Sequence, residues 1–247
     1  MSQPKISIII PARNEAGNIG RVLEGVRGQA DELIVIDGNS RDETVAIAEG
    51  FSARILRDNG KGKGAAVRQA GAAATGDILV FIDADWSHNP GDIPLLLAPL
   101  RNGDADHVSG SRMLGGSDEL FSSIPEFIRL LGSEMITLTI GGRYGIRLTD
   151  SQNGFRAIRR SVFLELDLHE NITTIEQEMV VETLRRGYRL IEVPTHEFKR
   201  HAGRSSISVG RVGFRYVYCL VKNVLKPILK PLPKELPAIQ AKYTSRW

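Results

Sequence analysis

Cysteine is almost absent: Cys219 is the only one in 247 residues. That excludes an internal disulfide framework and a cysteine-based zinc site, and it makes a reducing compartment the simple reading. Long apolar runs are missing too. No stretch approaches the roughly 18–20 residues a bilayer-spanning helix needs. The opening MSQPKISIII lacks the basic and apolar regions of a secretory signal. The expectation is a cytoplasmic chain, neither exported nor threaded through a bilayer. Acid is scarce in one place. From Lys199 onward eleven Lys or Arg face a single acid, Glu235, a net +10, leaving −7 for the first 198 residues of a chain whose total is only +3. Such asymmetry speaks of partners more than of fold. The tail suits an anionic surface.

What is present is a regular alternation. Lys5–Ile10 (KISIII) is a short β-branched run of the kind buried on both faces of a parallel sheet. Ile19, Val22, Leu23 and Val26 then recur at helical spacing. Strand-like 33–36, helix-like 43–49, strand-like 53–56, helix-like 65–74 and the clear strand 77–82 follow. The spacing predicts further strands at 106–109 and 189–193, helices at 119–139 and 175–187, and a Gly-rich loop at 141–153. Strands alternating with helices argue for an α/β fold, an open, mostly parallel sheet covered by helices on both faces. Ligands in such sheets sit beyond the carboxyl ends of the strands, which directs attention to the residues after Ile10, Ile36 and Ile82.

Those positions hold chemistry. Asp83 and Asp85 follow the strand 77–82 in FIDADWSHNP. Two carboxylates brought together repel unless they share a cation, and oxygen donors of this kind suit Mg²⁺ or Mn²⁺. SIIIPARNE carries Pro11, Arg13 and Glu15 to the same edge, and VIDGNSRDET carries Asp37 there. In DNGKGKGAAVRQAG, three glycines surround Lys61 and Lys63, as close backbone approach to a phosphate requires. This is neither a Walker A loop nor a dinucleotide fingerprint. The histidines at 88, 107, 169, 196 and 201 show no ligand spacing and are read as structural.

Taken in order, these segments resemble family 2 glycosyltransferases of the GT-A, Rossmann-like fold, from Lys5 to about Ser206. Within that family the chain looks most like the polyprenyl- or dolichyl-phosphate hexosyltransferases. DADWSHNP, VSGSR at 108–112, TDSQNGFRAIRRSVF at 149–163, EQEM at 176–179, GYRLIEVP at 187–194 and R-x-x-G-x-S at 200–205 carry the likeness. The resemblance implies that Pro11, Arg13, Glu15, Asp37 and Lys63 serve the nucleotide-sugar, and that Asp83 and Asp85 hold the metal and its diphosphate. Arg112 and Arg200 would meet phosphate oxygens, and together with Asp85 carry catalysis. Arg129 would meet the acceptor phosphate, and Gln152 with the neighbouring Asp150 would face the sugar or acceptor. Glu176 and Glu178 stand on different faces of a helix, so at most one serves the site. The implied reaction is metal-dependent, inverting transfer of mannose or glucose from GDP-mannose or UDP-glucose to a polyprenyl phosphate. A glycan or soluble hydroxyl acceptor is the alternative, with Glu178 as its base. Three positions depart from the pattern: Gly38 where many relatives have an acid, Arg13 where Tyr is frequent, and Ser206 where mannosyl-type enzymes often have Lys.

The division expected is a GT-A catalytic domain at 1–208 and a basic amphipathic helical tail at 209–247. At about 100° per residue, Arg211, Arg215, Lys222, Lys226 and Lys230 fall on one stripe, with Pro227 kinking or ending the helix. The stripe is either an ordinary charged surface or an interfacial helix drawn to anionic lipid. The second reading places the protein on the cytoplasmic face of a membrane. No nucleic-acid module is recognisable.

Overall fold

In the computed structural model, residues 3–119, 124–199 and 209–244 are described, without the side chains of 124–126 and 209–212. β1 (Ile6–Ala12) leads into α1 (Ile19–Val26), β2 (Glu32–Asp37) into α2 (Thr44–Gly50), β3 (Arg54–Arg57) into α3 (Lys63–Ala73), and β4 (Ile78–Phe81) into α4 (Ile93–Arg101). The second half runs β5 (His107–Ser111), α5 (Arg112–Gly115), α6 (Ile124–Tyr144), β6 (Arg156–Arg159), α7 (Arg160–Glu165), α8 (Ile175–Arg185) and β7 (Leu190–Pro194). Helices α9 (Val209–Val224) and α10 (Leu236–Thr244) follow.

The strands form one sheet in the order β3-β2-β1-β4-β6-β5-β7, parallel except for β6. The KISIII run shows why β1 is central. Ile6, Ile8 and Ile10 enter the core under α1 and α4, whereas Ile9 enters the opposite core under α3, α7 and α8. Alternate side chains of a strand point to opposite faces, so only an unbroken apolar run can serve both. The expected α/β architecture is the one observed.

Several elements escaped the sequence reading, the four-residue α5 among them. β6 offers only Ala157 and Ile158 between arginines, too little apolar pattern to register. α4 contains Pro94 and Pro99, which mask a helix whose Ile93, Leu96, Leu97 and Leu100 are fully buried. α7 is only six residues long, and α10 follows a run of prolines yet buries Leu236 completely in the main core. The loop expected from 141 starts only after Tyr144, because α6 runs on with Gly141 packed tightly below the Ile146 carbonyl.

The tail packs against the domain before it. Tyr216, Leu220 and Val224 of α9 join Ile136 and Ile140 of α6 and Val181 and Leu184 of α8 in a third core. This corrects the cationic stripe. Lys222 pairs with Glu170 at 3.2 Å and Lys226 with the fully buried Glu182 at 2.8 Å, because a carboxylate out of water needs a cation beside it. Arg215 and Lys230 are exposed, and the Arg211 side chain lies outside the described residues. The helix ends at Val224, three residues before Pro227. No described helix is long and apolar enough to cross a membrane.

Candidate active site

The strand order reverses beside β1: the chain moves outward to β2 and β3, then returns to place β4 on the other side of β1. Such a reversal opens a crevice at the carboxyl ends of the two strands. Here the crevice lies between Pro11–Ala12 and Ile82–Asp83, and Pro11, Lys63, Asp83, Gly154, Arg156 and Glu176 line it. The backbone is strained along this lip. Asn14, Asn39 and Trp86 adopt φ of 54°, 62° and 65° just after β1, β2 and β4. Asn tolerates that region; for a bulky Trp it is costly.

At the β1–β2 end of the lip, Asp37 is buried at the end of β2, in register with Ala12, and accepts the Ser40 amide at 3.1 Å. It thereby shapes the DGNS turn. Glu15 is half-buried and takes the Asn18 side-chain amide at 2.7 Å, ordering the turn into α1. Arg13 and Gly38, two of the departures noted above, turn out to be one. A side chain at position 38 would meet the Arg13 Cβ at 3.1 Å and its Cδ at 3.3 Å. Arg13 lies across the space that an acid at 38 would need.

The centre is the acid pair. Lys63 Nζ stands 2.7 Å and 3.0 Å from the two oxygens of Asp83 and 2.9 Å from Glu176 Oε1. Burial works against the ammonium, but the two carboxylates outweigh it and hold its pKa above the ordinary lysine value. Asp85 accepts both the amide and the hydroxyl of Ser87, at 3.0 Å and 2.6 Å. His88, stacked on Phe155 at 5.2 Å, brings Nε2 to 3.9 Å from Asp83. Behind them Arg156 is buried, donating to the carbonyls of Asn153 and Glu176, and burial pushes its pKa down to about 10. A Cβ at Gly154 would crowd the acid and its lysine, lying 3.0 Å from Asp83 Oδ2 and 3.2 Å from Lys63 Nζ.

The glycine-rich segment is used differently from the expectation. Gly62, at φ 114°, would meet the Asn171 carbonyl at 2.6 Å if it carried a Cβ, and the Gly64 amide donates to that same oxygen at 2.9 Å. These glycines admit the 170–172 backbone, and Lys63 alone turns to the crevice. Glu176 and Glu178 separate as helical geometry demands. Glu178 is fully buried and accepts the amides of His169 and Glu170, both at 2.8 Å.

The other half of the lip is a closed network. Arg112 makes a two-pronged contact with Asp150, at 2.6 Å and 3.0 Å, and reaches Glu197 at 3.3 Å. Burial opposes the charge of both partners, yet each holds the other ionised: Arg112 is shifted up and Asp150 down. The fork expected to meet phosphate is therefore filled by carboxylates, and Asp150 faces Arg112. Glu192 on β7 accepts the amides of Thr149 and Asp150 at 2.8 Å and 2.7 Å, and burial pushes its pKa up to about 7. Gln152 Nε2, Asn153 Nδ2 and Glu176 Oε2 are buried without a hydrogen-bond partner. Two donors and an acceptor so close to Gly154 suit a polyhydroxylated ligand. Arg129 sits half-buried on α6, and Arg200 lies outside the described residues.

Residue types and topology together thus assemble Pro11, Lys63 and Asp83, with Asp37 and Asp85 at adjoining strand ends. Glu176, Arg156, Gly154 and His88 are the members that sequence reasoning did not assign. Among the described residues no group of three or more His, Cys, Asp or Glu makes a ready cage for a metal. The donor set fits a hard divalent ion that keeps few protein ligands and completes its shell with substrate phosphates. A cation already sits on Asp83, in the form of Lys63.

Residues 7–167 match the model of "Glycosyl transferase family 2". An undecaprenyl-phosphate mannosyltransferase of Micrococcus luteus is 32% identical over 85% of this chain and 90% of its own length. The low-salt glycan biosynthesis hexosyltransferase Agl6 of Haloferax volcanii is 28% identical over 89% of this chain, which spans only 54% of that relative. Among solved structures, glucosyl-3-phosphoglycerate synthase of Mycobacterium tuberculosis, crystallised with Mg²⁺ and uridine diphosphate, superposes with a TM-score of 0.74. It is 25% identical, over 91% of this chain and 81% of that one.

Proposed function

The chain belongs to glycosyl transferase family 2, and from that premise we propose that it transfers a hexose from a nucleoside-diphosphate sugar to a polyprenyl phosphate, inverting the anomeric carbon. The observation that carries this reading is Asp83 at the switch point beside Pro11, with Lys63 already bound to it and Asp85 two residues further along the chain. Asp83 and Asp85 would hold Mg²⁺ or Mn²⁺, whose chemistry when bound is to offset the charge of the departing diphosphate. Lys63 adds a fixed positive charge next to that pair, and Glu176 positions it by taking one of its hydrogen bonds. Asp37, Arg13 and Glu15 shape the nucleotide side. Arg112 acts by fixing the 149–153 loop, through Asp150, over the acceptor side; Gln152 faces the acceptor from that loop.

A lipid phosphate supports this assignment on chemical grounds. It is ionised at neutral pH and needs no strong general base. A hydroxyl acceptor does need one, and Glu178 is turned away, capping two amides. The undecaprenyl-phosphate relative is also the more similar of the two named enzymes whose acceptors are known from their names. The phosphoglycerate-directed neighbour makes a soluble phosphorylated acceptor the second reading.

The test is transfer of radiolabelled sugar from UDP-glucose and GDP-mannose in the presence of Mn²⁺. Polyprenyl phosphate and 3-phosphoglycerate serve as competing acceptors. A lipid-extractable product that disappears with EDTA is expected. Label only in the aqueous phase would transfer the assignment to the soluble acceptor, and activity unaffected by EDTA would remove the metal.

A further inference from the structure

The loop 169–174 joins parts of the molecule that the sequence keeps apart. It leads into α8, and its backbone holds two elements of the crevice. The Asn171 carbonyl accepts the amides of Gly64 and Ala65, at 2.9 Å and 3.4 Å, at the start of α3 beside Lys63. The Thr173 carbonyl accepts the Glu176 amide at 3.4 Å. Arg68, one turn after Gly64, donates to the Glu170 carbonyl and, at 2.8 Å, to Asn171 Oδ1. The pair that faces Asp83, Lys63 with Glu176 at 2.9 Å, therefore hangs from this loop at both ends.

The tail holds the loop from the other side. Tyr216, Cys219 and Asn223 recur at i, i+3 and i+7 along α9 and share one face. The Tyr216 hydroxyl donates to Thr173 Oγ1 at 2.7 Å. The Cys219 thiol lies 3.8 Å from the Thr174 carbonyl, and Asn223 Nδ2 donates to that sulfur at 3.2 Å. Lys222 on the flank pairs with Glu170, whose other oxygen accepts the Thr174 hydroxyl at 2.7 Å. A thiol is a weak donor, and Lys222 is 35% exposed, where water screens its pair. The Tyr216 hydroxyl makes the firmest of these contacts. Burial pushes its pKa up, with the Glu176 carboxylate adding to the shift, so it keeps the proton it donates.

We infer that Tyr216 is a positioning residue for the transfer reaction, resting on the reading of Lys63 as part of the donor site: from α9 it fixes the 169–174 loop and, through Thr173, the Lys63–Glu176 pair that faces Asp83. A charge that must meet a ligand works only when the groups behind it hold it to a fraction of an ångström. The order of contacts is Tyr216 to Thr173, Thr173 to Glu176, and Glu176 to Lys63. The status of the tail changes with it. The helix expected as an appendage to the catalytic domain becomes a support that the site requires.

Tyr216→Phe keeps the ring that packs against the third core and removes the hydroxyl alone. Its melting temperature should fall by no more than about 5 °C. KM for the nucleoside-diphosphate sugar should rise about fivefold while kcat stays within about twofold, the scale of one neutral hydrogen bond. Thr173→Val removes the same bond from its other end and should give the same split, with the double variant no worse than either single one. Added to Glu176→Gln, Tyr216→Phe should cost little more, since both release Lys63. Fully additive losses overturn the inference. So does a variant that melts lower but keeps the wild-type donor KM, as a merely structural hydroxyl would give. Hydrogen exchange without substrate keeps this role apart from the assigned reaction. Tyr216→Phe should speed exchange about tenfold at the amides of Gly64, Ala65 and Glu176 and leave β1 and β4 as they were; unchanged exchange at those three amides overturns the inference. A chain that shows this exchange pattern but transfers no sugar leaves the hold of Tyr216 on Lys63 standing and sinks the donor-site reading.

Discussion

The two halves of the sheet's lip solve the problem of charge in opposite ways. From β1 to β4, acids stand at the mouth of an open crevice: Asp83 retains about a quarter of its side-chain exposure and shares a single ammonium with Glu176. From β5 to β7, Asp150, Glu192 and Arg112 are sealed in a network that satisfies itself. The first half keeps charge available for a ligand. The second uses charge to hold a loop still. Acids of one chemical type thus divide into chemistry and scaffolding according to whether their partner is fixed or exchangeable.

That contrast can be broken at single residues. Asp85→Asn should lower transfer at least about 1000-fold, roughly 4 kcal/mol, while the melting temperature stays within a few degrees; retained turnover would erase the distinction. Asp150→Ala should do the reverse. Stripping the carboxylate from buried Arg112 costs about 3–5 kcal/mol of stability, read as the urea midpoint, and a midpoint equal to wild type would show that the network bears no strain. Glu192 adds a pH signature. Its folded pKa of about 7 lies above the ordinary carboxylate value, so its contribution to stability is complete at pH 4 and is lost as pH rises through 7. Glu192→Gln should remove that loss, narrowing the fall in stability between pH 5 and 8 by up to about 3 kcal/mol; parallel curves for both proteins would contradict it. The smallest effect belongs to Glu176→Gln. Freeing Lys63 from one acid should reduce transfer about tenfold, roughly 1.4 kcal/mol, mostly in KM for the donor; a change in kcat alone would mean that Glu176 does more than position.

The first half of the lip was legible in the chain because its parts are local. Asp83 and Asp85 follow one apolar run directly, Asp37 follows another, and an open parallel sheet brings such ends together by rule. The second half was not legible. β6 runs antiparallel, so the start of the strand, not its end, delivers Gly154 and Arg156 to the site, with Arg156 opposite Phe81. A four-residue strand framed by arginines carries no periodic signal. Arg112 and Asp150 were each singled out but not as partners, since they lie 38 residues apart and meet only through the fold. The glycines of GKGKG were legible as a close approach, but what approaches is backbone from residues 170–172.

The linear order of residues determined the alternation of strands and helices, the buried β1 and the placement of acids at strand ends, because burial on two faces leaves its mark in neighbouring positions. Tertiary structure alone decided which charges are open and which are closed. Lys222 and Lys226 belong to one stripe on paper, and only the nearness of Glu170 and Glu182 turns them inward and leaves the apolar side of α9 to face outward. Charge compensation acts through space, over a few ångströms and dozens of residues. A sequence pattern can nominate the ions, but packing chooses their partners.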